Sequence, residues 1–217
     1  MKLGVMCSGN GSNFENIVRT CRYDEVVLMI HNKKDCGALR RAAKLGINHC
    51  YVSHKHEVVL MIHNTKQCGA VKRAAKFGIP HVRVPHKDED KMIDLFRVWR
   101  VDLIILAGYM RVIKNPSKFP APMINVHPSL LPKYKGLNVV ERAMEAGDKE
   151  TGCTVHYVNE ELDGGEIILQ GKVPILPEDT VESLTKAIQR MEYGILPAAI
   201  EHVKNSLPTT VLDYVKH

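Results

Sequence analysis

Three short stretches of this 217-residue chain carry side chains whose types and spacing could do chemistry. Asn125 and His127 stand two apart in Asn125-Val-His-Pro-Ser-Leu-Leu-Pro132. If residues 123–127 are extended, alternation points both to one side of a strand. A carboxamide that polarises a carbonyl, beside an imidazole that moves a proton, is a workable pair for acyl transfer. A structural Asn and His at a strand end would read the same way. Glu160-Glu-Leu-Asp-Gly-Gly165 is an acidic turn between two strands, ordinarily just a solvated one. Were Asp163 to reach His127, its carboxylate would fix the ring and favour the charged form. Ser8-Gly-Asn-Gly-Ser-Asn13 falls where a first strand gives way to a helix. Unpaired backbone N–H groups there make an anion site, with Ser12 and Asn13 adding donors. It is neither a Walker A loop nor a full G-x-G-x-x-G, because Phe14 replaces the third glycine, so a tight capped turn stays open as the alternative.

Positioning these groups falls to an alternating α/β chain. The pattern predicts a strand at 2–7, a helix at 12–21, a helix at 89–100 and strands at 102–107 and 123–127. A proline-rich stretch at 116–132 punctuates the chain around the last of these strands. Beyond it come a helix at 138–147, strands at 152–158 and 166–174, and a helix at 180–203. In that last helix Val181, Leu184, Ile188, Met191 and Ile195 have the spacing of a buried stripe. The fold class expected is α/β, a doubly wound, mostly parallel, Rossmann-like sheet in a single domain over 1–217.

An internal duplication interrupts this order. Glu25-Val-Val-Leu-Met-Ile-His-Asn32 recurs letter for letter as Glu57–Asn64, and the likeness continues through Cys36-Gly-Ala38 and Cys68-Gly-Ala70 to His54-Lys55 and His86-Lys87. Each copy, 25–56 and 57–88, reads as strand, helix and short strand, the βαβ unit of a parallel sheet. Two copies are too few for a solenoid, which needs about three. The repeat carries seven of the eleven histidines, but they arise by copying and form no metal-ligand cluster.

Composition is that of a soluble globular protein, 45% hydrophobic and 25% charged. No apolar run approaches the roughly 20 residues a bilayer requires, and no signal-peptide pattern opens the chain. A net charge of +6 favours anionic partners, yet no dense basic run interleaved with aromatics points to nucleic acid. The six cysteines show no C-x-x-C and suit a reducing cytoplasm.

Taken together, Ser8–Asn13, Leu106-Ala-Gly-Tyr-Met-Arg111, Asn125–Pro132 and Gly152-Cys-Thr-Val-His156 through Leu162-Asp-Gly-Gly165 closely resemble the glycinamide ribonucleotide formyltransferase family, in the family's order and over nearly the whole chain. The resemblance implies formyl transfer from the co-substrate 10-formyltetrahydrofolate to the amine of glycinamide ribonucleotide, in purine synthesis and without a metal. It implies that Gly11, Ser12 and Asn13 hold the ribonucleotide phosphate, with Gln189 and Glu192 at its glycinamide end. Asn125 would stabilise the oxyanion of the tetrahedral intermediate. His127 would be the acid/base group and Asp163 would polarise it through water. Met110, Arg111, Val112 and Ile113 would line the folate, and Asn159, Glu160, Glu161, Leu162 and Asp163 would close over it together with Asn125. Residues 1–108 would then form a phosphate-binding lobe and 109–205 a catalytic and folate lobe. The expected protein is a cytoplasmic monomer or homodimer with small-molecule substrates and no nucleic-acid or membrane partner.

The family has one strand–helix–strand unit where this chain has two, and the sequence does not say which is supernumerary. The expectation is that the extra unit extends or decorates one sheet edge and spares the site at the strand ends. No basic residue after His86 matches the family's folate-contacting one. Two rivals share the Asn–x–His–Pro and Asp-loop chemistry. Methionyl-tRNA formyltransferase is expected to carry a further RNA-binding domain, and formyltetrahydrofolate hydrolase a preceding regulatory one. A folate- or nucleotide-binding protein inactivated by the duplication is the rival from another class.

Overall fold

A computed structural model describes residues 2–7, 29–31, 49–51, 57–64 and 69–206. The anion loop with Gly11, Ser12 and Asn13, and the helix expected at 12–21, lie outside the described residues. Apolar, β-branched runs bounded by Gly, Pro and Asn build the main sheet, as buried strands require. Its strands are β1 (Lys2–Cys7), β4 (Glu57–His63), β5 (His81–Arg83), β6 (Leu103–Leu106), β7 (Met123–His127), β8 (Glu150–Tyr157) and β9 (Ile167–Pro174). They lie in the order β5-β4-β1-β6-β7-β8-β9. Pairing is parallel from β5 through β7 and antiparallel from β7 through β9. The sheet is thus mixed and mostly parallel, as expected.

Helices cover both faces. Alternation along β6 sends Leu103 and Ile105 to one face and Ile104 and Leu106 to the other. On the first face α1 (Gly69–Phe77), α3 (Val139–Glu145) and α4 (Val181–Ser206) contribute Ala70, Ala74, Val139, Leu184, Ile188 and Ile200 to one core. On the second, α2 (Glu89–Val98) contributes Met92, Ile93 and Phe96. Burying side chains of this size stabilises the fold by about 1.5–3 kcal/mol each. Most of the stripe read in the last helix does face the sheet, but Val181, in the first turn, stays exposed. A Cβ on Gly171 would collide with Met191, which is how α4 comes to lie close on β9.

Capping residues set the helix ends. Asp88 accepts the Lys91 N–H at the start of α2, and Gly78, at φ +65°, takes the left-handed position that closes α1. Among the described residues no helix is long and apolar enough to cross a membrane.

The two copies of the duplicated unit have different fates. Copy two supplies β4 and β5, so its first strand lies beside β1 and its second forms the sheet edge. Copy one supplies β2 (Met29–His31) and β3 (His49–Tyr51), which form a separate two-stranded sheet. Among the described residues, copy one therefore adds no strand to the main sheet. The pairing of its two strands nonetheless repeats that of copy two. Met29 pairs with His49 as Met61 pairs with His81, and His31 with Tyr51 as His63 with Arg83, all in parallel register.

Candidate active site

β7 ends where two loops converge, residues 128–138 and 158–166. Asn125 and His127 share a face with Met123, which packs on the α2 side of the sheet. β8 runs antiparallel beside them, pairing Asn125 with His156 and His127 with Thr154. Four polar side chains therefore stand in a square on one face. His127, Thr154 and His156 are buried, and Asn125 is half-buried.

Each is held in a definite state by its partners. The Tyr157 carbonyl lies 2.7 Å from His156 Nδ1. A carbonyl only accepts, so Nδ1 bears the proton and Nε2 is an acceptor. That acceptor faces the Asn125 amide nitrogen at 3.3 Å. The bond fixes which end of the carboxamide is NH₂ and leaves its second N–H to donate elsewhere. Burial, the largest influence, pushes the His156 imidazole below its usual value, partly opposed by the Tyr157 carbonyl and the Asp163 charge. His127 follows the same logic on its other nitrogen. Nε2 donates to the Tyr134 carbonyl at 2.8 Å, leaving Nδ1 as the nitrogen that can exchange a proton.

Asp163 completes the group. Its Oδ2 lies 3.4 Å from His127 Nδ1 and accepts the Gly136 N–H at 2.9 Å, while Oδ1 is 3.7 Å from His156 Nε2. The approach to His127 is direct rather than across a water. Unlike its exposed neighbours Glu160, Glu161 and Leu162, the Asp163 side chain is only 8% exposed. A left-handed backbone, φ +49°, turns it inward. The loop returns so tightly that a Cβ on Gly165 would strike the Tyr157 carbonyl.

Thr154 holds the loop after β7. Its hydroxyl donates to the Ser129 carbonyl at 2.7 Å and accepts from Leu131 N–H at 3.0 Å and the Gln170 amide at 2.9 Å. Gln170 also donates to the Leu131 carbonyl at 2.8 Å. The two loops meet at Lys135 and Glu161, an exposed ion pair of 2.6 Å that contributes little by itself.

Beside this square a cavity of about 410 Å³ opens on the α2 face, lined by Pro116, Phe119, Met123, Val158, Asn159 and Glu160 among others. Its walls mix apolar side chains with the polar Ser117, Asn159 and Glu160. Asn159 and Glu160, expected at the folate, are on its wall. Met110, Arg111 and Val112 are exposed on an arch pinned at both ends, since Tyr109 and Ile113 are buried in the core beneath. Ile113 therefore presents backbone rather than side chain. Gln189 is exposed on α4. Glu192 is buried against the opposite sheet face, within electrostatic reach of Cys153, which alternates with Thr154. The structure brings Asn125, His127 and Asp163 together, and does not bring Gln189 and Glu192 into that cluster.

His156, Thr154, Gln170 and Tyr134 were given no role by the sequence reading. Period-two alternation in Thr154-Val-His156 could have placed two of them opposite Asn125 and His127. The state of His156 is testable. A histidine whose folded pKa is depressed binds its proton more readily when unfolded, so stability is full above the unfolded value, about 6.5, and falls as pH drops below it. Melting temperature should therefore decline more steeply below pH 6.5 in the parent chain than in His156→Gln. Superimposable melting curves across pH would show that His156 is not the group responsible.

A family described as Formyl transferase matches residues 1–200. The chain is 37% identical over 206 residues to phosphoribosylglycinamide formyltransferase of Haemophilus influenzae, covering 92% of this chain and 85% of that protein. It is also 37% identical over 212 residues to the trifunctional purine biosynthetic protein adenosine-3 of Drosophila melanogaster, spanning 94% of this chain but only 14% of that longer protein. The crystal structure of phosphoribosylglycinamide formyltransferase from Anaplasma phagocytophilum superposes with a TM-score of 0.76 at 32% identity, covering 95% of this chain and 88% of that one.

Proposed function

Because the chain belongs to the formyl transferase family, we propose that Asn125, His127 and Asp163 are the groups with which it moves a formyl group from 10-formyltetrahydrofolate to the amine of glycinamide ribonucleotide. Formyl transfer to glycinamide ribonucleotide, in purine biosynthesis, is its activity. The observation that carries the residue assignment is the convergence of a carboxamide, an imidazole and a buried carboxylate at the end of β7.

The folate co-substrate supplies a formyl carbonyl activated for attack. Asn125, anchored through His156, directs its remaining N–H at the formyl oxygen as negative charge builds there. His127 takes the amine's proton at Nδ1, and Asp163 stabilises the imidazolium that results. The imidazolium returns the proton to the departing folate nitrogen as the bond from that nitrogen to the formyl carbon breaks. The Nε2–H bond to Tyr134 keeps the ring aligned throughout. The cavity between Phe119, Met123 and Val158 is assigned to the folate ring, with Asn159 to Leu162 closing over it and Met110 to Ile113 alongside.

Gly11, Ser12 and Asn13 are assigned to the ribonucleotide phosphate. Gln189 and Glu192 are assigned to the ribonucleotide's glycinamide end, although Glu192 is buried in this structure. Residues 1–108 serve as the phosphate-binding lobe and 109–205 as the catalytic lobe. The protein acts in the cytoplasm as a monomer or homodimer, on small molecules rather than nucleic acid or membrane.

The test is transfer itself, with both products followed and an amine-free control. Formylated ribonucleotide that disappears in His127→Ala supports the assignment. Free formate released without the amine would point to the hydrolase instead. Ligand binding without turnover would favour a binding protein inactivated by its duplication.

A further inference from the structure

We infer that Asp148, which lies outside the catalytic group, positions His127 by anchoring Tyr134. The inference rests on reading His127 as the acid/base group. Asp148 sits in the turn between α3 and β8. Its carboxylate accepts the Tyr134 phenol at 2.9 Å and the Lys133 ammonium at 3.0 Å on both oxygens. The Arg142 guanidinium carbon lies 5.2 Å from the centre of the Tyr134 ring, and the ring's inner edge packs on the core under α3 and α4. The phenol is therefore tied at its tip, covered on a face and packed at its base.

What that anchoring secures is a backbone direction. Tyr134 has φ +56°, a left-handed conformation that is unfavourable for a bulky residue and persists only where its surroundings impose it. In this conformation the Tyr134 carbonyl receives His127 Nε2–H at 2.8 Å and the Ser129 hydroxyl at 3.3 Å. The carbonyl thereby selects the Nε2–H tautomer and leaves Nδ1 to face Asp163. Release of the phenol removes the side-chain constraint on that φ, and the carbonyl turns away from the ring. Asp148 is kept charged for this task, since hydrogen bonds from Lys133 and Tyr134 hold its carboxyl below the usual range. Asp148 is a positioning residue and touches no substrate.

The experiment compares Asp148→Asn, Tyr134→Phe and Asp148→Glu in the full chain, with His127→Ala as reference. Steady-state kinetics are read beside long-range ¹H–¹⁵N spectra of the imidazoles. Asp148→Asn and Tyr134→Phe should each lower kcat roughly 10- to 100-fold, the scale of a small misplacement of a reacting group. KM should not change, His127 should show mixed tautomers, and Asp148→Glu should recover part of the rate. An unchanged kcat in Asp148→Asn, or a lowered one with His127 still wholly in the Nε2–H form, would overturn the anchor. A fully active His127→Ala would remove the premise as well, whereas an inactive one beside a fully active Asp148→Asn would sink the anchor alone.

Discussion

Asp163→Asn lowers kcat by roughly 10²–10⁴-fold, the span proton-transfer catalysis contributes, while the protein melts close to the parent temperature. The substitution isolates charge. Asparagine tolerates the left-handed φ of +49° that turns this side chain inward. Its carbonyl can still accept the Gly136 N–H, so the bridge between the two loops survives. What disappears is the negative charge 3.4 Å from His127 Nδ1, needed once that nitrogen has taken the amine's proton. Substrate KM should hold, because the loss appears only as the imidazolium forms. Turnover equal to the parent's would take Asp163 out of the mechanism and leave it as a loop brace.

Asn125→Ala is expected to cost about 10²–10³-fold in kcat, the effect of deleting one oxyanion donor. Here some loss of stability accompanies the loss of rate. His156 Nε2 is left without its donor in a buried position, at about 1–3 kcal/mol for an unsatisfied group. The two effects separate in the measurement: kcat well below the melting transition reports the donor, and the melting temperature reports the orphaned imidazole. A variant that melts earlier yet turns over normally would assign Asn125 to structure alone.

Much of this arrangement is legible in the residues, for reasons that differ from place to place. The strand at 103–106 and the helix at 89–98 announce themselves because burial on two faces, or on one stripe, dictates their apolar pattern. Asn125 and His127 can be set on one side of a strand from their spacing alone. Only the family resemblance separates Asp163 from its acidic neighbours, because the property that sets it apart is a backbone angle and a tight return at Gly165. The role of Tyr134 is harder still to foresee, since it acts through its carbonyl, which every residue has. Which copy of the repeat would enter the sheet was illegible in principle. Every residue that copy two buries in the two cores, from Val58 to Ile62 and at Ala70, Ala74, Ile79 and Val84, has the same residue at the matching place in copy one, from Val26 to Ile30 and at Ala38, Ala42, Ile47 and Val52.

That identity has a consequence in time. During synthesis copy one leaves the ribosome first, ahead of copy two by the seconds its residues take to translate at roughly 5–20 per second. Its matching letters are no worse suited to a place beside β1. Copy two, which follows, is joined directly to α2 and β6, and β6 must dock on the far flank of β1. The placement that keeps the rest of the sheet contiguous with its neighbours in the chain is the one the structure shows. The same letters thus stand in two settings, in the main sheet as β4 and β5 and outside it in the strands β2 and β3.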